Sequence, residues 1–339
     1  MPDSSLAFLL LIILFAIGFG LVNGFNDAAN AIATVIGTRV LSPRNAVIMA
    51  VFLNFAGAAT GLAVARTIGK GILVPEAISY QTVLAGLAAV IIWGVLATYF
   101  GLPISLHHGF ISGLAAAGMA VVGVKAVVWG VMQNILFAVG IAPLLGFIGG
   151  FVVMISLFWI FRRSTPSTVG GIFSNLQILS AAFMAYSHGK NDGQMPIGVI
   201  TMALVIYYQN PGLWDHLSLF NASTWWIIVI SALAISAGTA MGGWRVIKTL
   251  GRRITTLRPV HGFAAEASAA TVIEVASHFG IPVSTTHCIT ASIMGVGATK
   301  RFSAVRWGVA GNIVVAWILT FPICGVLGYL FSWLLRMAL

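Results

Sequence analysis

Two short polar stretches interrupt an otherwise apolar chain: Asn23-Gly24-Phe25-Asn26-Asp27-Ala28-Ala29-Asn30 and His188-Gly189-Lys190-Asn191-Asp192-Gly193-Gln194. Their Gly-x-Asn-Asp cores lie 165 positions apart, about half of the 339-residue chain. An ionised Asp at the centre of an apolar helix costs about 2.5–3.5 kcal/mol, so two in matched positions demand a counter-charge or a proton. Asp27 and Asp192 supply negative charge, and Asn26, Asn30 and Asn191 supply amide oxygens. Together they form a donor set for a small hard cation or a proton. Gly beside Asn and Asp, whose side chains compete for backbone hydrogen bonds, predicts an unwound helix whose freed carbonyls add to that set. A satisfied structural hydrogen bond explains one such pair; the recurrence argues against it.

A second pair of motifs suits the opposite charge. Phe100-Gly101-Leu102-Pro103-Ile104-Ser105-Leu106-His107-His108 matches Phe279-Gly280-Ile281-Pro282-Val283-Ser284-Thr285-Thr286-His287 at an offset of 179. Proline stops one helix, and the hydroxyl residues after it open another whose first N–H groups are free, which makes an anion site. Ser105, Ser284, Thr285 and Thr286 are the candidate substrate-binding residues, with ordinary N-capping as the alternative for either turn alone. His107, Gln194 and Glu266 are accessory candidates. His107, His108 and His287 fit either a proton relay or a structural role, and Glu266 and Glu274, eight apart, fall on one helix face.

The elements that position these residues are membrane helices. Hydrophobic residues make up 59% of the chain and charged residues only 7%, with a mean hydropathy of +1.03. Apolar runs long enough to span hydrocarbon recur from end to end, which defines an all-α polytopic membrane protein. The runs fall near 6–22, 28–38, 46–65, 81–100, 103–123 and 126–161, then 172–187, 196–208, 225–247, 260–279, 282–298 and 303–338. The net charge of +10 sits in short loop clusters, where it reads as a topology signal rather than a nucleic-acid surface. Cys288 and Cys324 both lie in apolar segments, so no structural disulfide is expected.

The runs form two series, 1–161 and 172–339, joined by a polar linker at 162–171. Trp129-Gly130-Val131 with Asn134 recurs as Trp307-Gly308-Val309 with Asn312, a third motif in the same order. Loop charge predicts that the halves are inverted. Arg39 and Arg44 follow the first Asn-Asp motif, whereas 209–224 holds no Lys or Arg. At the next loop the bias reverses, with Arg245, Lys248, Arg252, Arg253 and Arg258 in the second half and no acid among them. By the positive-inside rule, homologous loops lie on opposite faces, as in transporters built from inverted repeats with broken helices.

On these residues the sequence resembles the inorganic phosphate transporter family. Gly24 to Asn30 is similar to that family's Gly-x-Asn-Asp-x-x-Asn signature, Ser187 to Gln194 to its second copy, and Pro282-Val283-Ser284-Thr285-Thr286-His287 to its hydroxyl-rich turn. The resemblance implies two inverted repeats with re-entrant hairpins, in a homodimer of the cell membrane. It places phosphate near Ser105, Ser284, Thr285 and Thr286. It places the coupling ions, Na⁺ or H⁺, near Asn26, Asp27, Asn30, Asn191 and Asp192, with Asp27 and Asp192 as the ligands of a metal ion if that ion is Na⁺. Two departures stand out: Leu106-His107 replaces hydroxyl residues in the first turn, and Met195 takes the position matched by Asn30.

The expected function is secondary symport of phosphate by alternating access, with no cofactor. The chain lacks the Gly-x-x-x-x-Gly-Lys-[Ser/Thr] loop of nucleotide-driven pumps. A sulfate permease of the same fold is the first alternative, since sulfate only accepts hydrogen bonds whereas phosphate also donates. A passive channel and an intramembrane aspartyl protease with Asp27 and Asp192 as its dyad are more distant ones.

Overall fold

Glycine, proline and serine at fixed spacing build the two turns on which the fold depends. Gly101 and Gly280 adopt left-handed backbone, with φ of 72° and 69°, a conformation that costs glycine nothing. Each closes its helix with the same pair of bonds. Gly101 N–H donates to Thr98 O and Leu102 N–H to Ala97 O, and Gly280 and Ile281 repeat this with Ser277 O and Ala276 O. Pro103 or Pro282 bars continuation. Two residues later Ser105 or Ser284 caps the next helix, its hydroxyl accepting from the amide of His108 at 3.3 Å or His287 at 3.1 Å.

The computed structural model describes residues 2–338. In the first half the helices are α1 (Pro2–Gly37), α2 (Pro43–Ala59), α3 (Ala63–Gly71), α4 (Tyr80–Phe100), α5 (Leu106–Val122) and α6 (Trp129–Ile160). The second half holds α7 (Pro166–Asp192), α8 (Gln194–Tyr208), α9 (Trp225–Met241), α10 (Trp244–Lys248), α11 (Pro259–His278), α12 (Thr285–Ala298) and α13 (Trp307–Ala338). Among the described residues, six helical segments are long and apolar enough to cross a membrane, and two bent pairs raise that to eight. The bends, 68° between α2 and α3 and 62° between α9 and α10, fall inside runs that hydropathy reads as single spans. The runs at 126–161 and 303–338 form single helices, α6 and α13, despite Pro143 and Pro322 inside them.

One expectation is overturned. Backbone stays helical through both Asn-Asp signatures: α1 runs unbroken from Pro2 to Gly37, and α7 meets α8 across Gly193, itself at helical dihedrals. The glycines there serve close approach rather than unwinding. A Cβ on Gly24 would lie 2.0 Å from Ile235 O of α9, and one on Gly238 of α9 would lie 2.1 Å from Leu21 O. The second half repeats the crossing with Gly189 against Asn54 O and Gly57 against Tyr186 O. Small residues let membrane helices touch backbone to backbone. The Asn and Asp side chains, for their part, bond to neighbouring elements instead of their own backbone.

Helix packing follows the same exchange of halves. α1 packs on α9 as α7 packs on α2, α5 on α13 as α12 on α6, and α4 on α5 as α11 on α12. Two apolar clusters result. One holds the first part of α1 up to Phe19 with α3, α4, α5 and α8; the other takes α1 from Ala28 onward with α11 and α12. The polar residues Asn23, Asn26 and Asp27 lie at the seam between them.

Candidate functional site

Both hairpin turns and both Asn-Asp signatures converge at that seam. Asp27 and Asp192 are 2% and 0% exposed, and one ligand atom each of Asp27, His188 and Asp192 lies within 4.8 Å of the others. The N-terminus of α12 reaches into this group. Thr286 Oγ1 donates to Asp27 Oδ1 at 2.9 Å and Thr285 Oγ1 to Asp192 Oδ2 at 3.3 Å. Asn30 Nδ2 donates to both hydroxyls, at 3.0 and 2.9 Å, which leaves Asn30 Oδ1 buried without a partner among the described residues. From the opposite turn, His107 Nδ1 stands 3.6 Å from Asp192 Oδ1.

Asn26 and Asn191, expected as cation ligands, give their amide hydrogens to the turns, and Asn26 Oδ1 is left buried without a partner among the described residues. Asn26 Nδ2 donates to Thr98 Oγ1 at 2.6 Å and lies 3.5 Å from Leu102 O. Asn191 Nδ2 donates to Val283 O at 2.8 Å, and its Oδ1 accepts from Ser277 at 3.2 Å. Thr98 and Ser277 occupy the same position in the two halves, so each signature asparagine pins its own half's hairpin. Asn191 Nδ2 also bonds Asp192 Oδ1, at 2.9 Å. Ser105 and Ser284 are the caps described above, and their role as acceptors leaves their own protons out of those bonds.

The accessory candidates separate. His107 joins the acidic group, whereas His108 and His287 pack on aromatic rings, His108 on Phe321 and His287 on Trp317. Gln194 lies outside it, accepting from Ala65 N at 3.1 Å and donating to Lys190 O. Glu266 is also apart, buried with Thr34, Gln177 and Ser180 donating to its carboxylate. Lys190, inside the second motif, pairs with Glu274.

Sequence reasoning missed Asn54 and Thr239. Thr239 Oγ1 donates to Ile235 O at 2.9 Å, so it must accept from Asn54 Nδ2 at 2.8 Å. That fixes the amide with Oδ1 toward His188 Nδ1, 2.9 Å away, which therefore carries the hydrogen. In the neutral ring the lone pair of Nε2 then faces Asp192 Oδ2 at 3.4 Å. A chain from α9 through α2 thus sets His188 Nε2 beside the carboxylates, where the three residues could hold a cation. The signal was present, since Asn54 is the one polar residue in the run 46–58. Asn54→Leu should raise the half-saturating cation concentration about tenfold, as expected from unpairing one buried polar group. Nitrogen NMR of the His188 ring should show the tautomer released; an unchanged tautomer and cation dependence would leave Asn54 a packing residue.

Helices long and apolar enough to cross a membrane, packed around a buried cluster of carboxylates and hydroxyls drawn from both parts of the chain, define a multi-pass membrane protein. Residues 23–328 match the Phosphate transporter family, and the chain belongs to it. It is 41% identical over 331 residues to a Rhizobium meliloti (strain 1021) protein named "Probable low-affinity inorganic phosphate transporter", with 97% of each chain covered. A Bacillus subtilis (strain 168) protein of the same name is 38% identical, covering 99% of each. A solved structure named "The sodium-dependent phosphate transporter" superposes with a TM-score of 0.88 at 25% identity, covering 98% of this chain and 100% of that one. These relatives are named as transporters, which sets the protease reading aside.

Proposed function

We propose that the protein is a secondary symporter that carries inorganic phosphate into the cell together with Na⁺ or H⁺, by alternating access between two inverted repeats. The observation that carries this reading is the meeting of Asp27 and Asp192, one from each half, with Thr285 and Thr286 at the start of α12. Two buried carboxylates with oxygens within 4.8 Å of each other repel by roughly 3.5 kcal/mol at an effective dielectric constant near 20. Positive charge must therefore enter with the substrate. The same ions answer an energetic need, because a divalent anion entering a negative interior works against about 4.6 kcal/mol per 100 mV, twice the cost of one charge. Two monovalent cations cancel that term and a third reverses it.

In this reading Asp27, Asp192, His188 Nε2 and the amide oxygens of Asn26 and Asn30 hold the cations. The hydroxyls of Thr285 and Thr286, the caps Ser105 and Ser284 and the free amides of α12 hold the anion. The mirrored helix packing supports two repeats, and the reversed loop charge supports their inversion. The superposed transporter is named as sodium-dependent, which favours Na⁺. Uptake of labelled phosphate into proteoliposomes, with Na⁺ and pH gradients imposed separately, tests the proposal. A Na⁺ gradient should drive accumulation above equilibrium, and excess unlabelled phosphate should suppress it where sulfate does not. Flux that ignores both gradients would make the protein a channel, and suppression by sulfate alone would make it a sulfate permease.

A further inference from the structure

Away from the acidic seam, a cavity of about 580 Å³ opens where the end of α6 meets the start of α7, the loop before α11 and the turn that follows α12. Its wall has two characters. Leu157, Phe158 and Phe161 supply an apolar side, and Arg162, Arg258 and Lys300 supply positive charge. The chain has seven acidic residues, and none lines this cavity. Those on the adjoining α11 are already engaged, Glu266 by hydroxyls and an amide and Glu274 by Lys190. Partial burial, together with the charge of Arg258, holds the Lys300 ammonium below its ordinary range. Among the described residues, no carboxylate lines the cavity to balance this cluster.

The level of this cavity in the bilayer is marked. Trp159 and Ile160 at the end of α6 are 66% and 70% exposed, and the Arg162 guanidinium lies over the Trp159 ring at 5.4 Å. Tryptophan and arginine so placed sit at the boundary between hydrocarbon and headgroups. Lys300 Nζ donates to Thr256 O at 2.9 Å, and Arg306 reaches Arg252 O at 3.2 Å. The basic loops at 252–258 and 300–306 therefore form one surface, which the positive-inside rule assigns to the cytoplasm. Basic pockets between helices on that side suit lipid phosphates.

We propose that this cavity binds an anionic phospholipid, its headgroup on Arg162, Arg258 and Lys300 and an acyl chain along Leu157, Phe158 and Phe161. A free inorganic anion satisfies the charge but leaves the apolar wall uncovered, and a neutral lipid does the reverse. The ligand spans the junction of the two halves, so it also braces the linker that joins α6 to α7.

The test uses the full-length protein in detergent, stripped of lipid, with phosphatidylglycerol, phosphatidylcholine or inorganic phosphate added. Native mass spectrometry and thermal unfolding are the readouts. Phosphatidylglycerol should be retained and should raise the unfolding temperature, phosphatidylcholine should do neither, and inorganic phosphate should not displace the lipid. Arg258→Ala with Lys300→Ala should weaken retention at least about tenfold, the size expected for two basic groups lost beside an anionic headgroup. Arg258→Lys with Lys300→Arg should keep it. If the double alanine variant does not fold, Lys300→Gln alone should show a smaller loss in the same direction. Equal retention of both lipids, displacement by inorganic phosphate, or unchanged retention in a folded charge-removal variant overturns the proposal.

Discussion

Asp27→Asn abolishes gradient-driven phosphate accumulation in proteoliposomes, lowering the initial rate about a hundredfold or more, while the purified protein still elutes as a folded species. The size follows from burial. Removing one partner of a desolvated charge pair costs about 2–5 kcal/mol, and each 1.4 kcal/mol is tenfold. The fold survives because an asparagine Oδ1 still accepts the hydrogen bond that Thr286 makes to Asp27 at 2.9 Å, and α1 needs no charge to pack. Asp192→Asn should behave alike, with an added effect on His107 and His188, which approach Asp192 at 3.6 and 3.4 Å. Residual flux in either variant should no longer follow the cation gradient. Wild-type coupled uptake in both variants would remove the carboxylates from the coupling mechanism.

The amino-acid order disclosed the hairpin turns almost completely, because Gly-x-Pro-x-Ser is punctuation read locally: a left-handed stop at Gly101 or Gly280, a proline bar, a serine cap. The clustering of Asp27 with Asp192 was legible in the matched motifs, since two acids in like positions of apolar runs need each other's surroundings to hold a shared counter-charge. The backbone at the signatures was misread. Local propensity describes Asn and Asp competing for their own helix, but in the fold Thr98, Leu102 O, Ser277 and Val283 O take those side chains instead. Partners 72 or more positions away carry no local trace. Asn54 and Thr239 were passed over for the same reason. Neither has a repeat copy of its own type, and only the crossing of α2 with α7 and α9 brings the two together.

The asymmetry between the halves also has a physical reading. Below Asp27, one face of α1 continues with Asn30 and Thr34, the latter donating to Glu266. The matched positions after Asp192 are Met195 and Val199, both fully buried and apolar. The stretches that follow the two aspartates therefore differ in polarity. After Asp27 the helix continues with polar groups, and after Asp192 with apolar side chains that offer ions nothing.

That arrangement depends on the glycine crossings, which gives the second large effect. Gly24→Ala should leave little folded protein, and Gly189→Ala should do the same. Ordinary overpacking costs about 1–3 kcal/mol because side chains can yield, whereas here the added carbon meets the main-chain oxygens of Ile235 at 2.0 Å and Asn54 at 2.2 Å. A cost above about 3 kcal/mol takes a large share of the 5–15 kcal/mol that typically separates folded from unfolded protein. Helix propensity argues the other way, favouring alanine over glycine by about 1 kcal/mol, so the sign of the effect reports which force governs. Gly140→Ala, in α6 with nothing within 4 Å of the new carbon, isolates propensity and should be neutral or stabilising. Detergent-solubilised yield and unfolding temperature, compared across the three variants, decide it. If Gly24→Ala melts like Gly140→Ala, α1 and α9 do not touch along Gly24 and Gly238, and Asp27 is not held where it can meet Asp192.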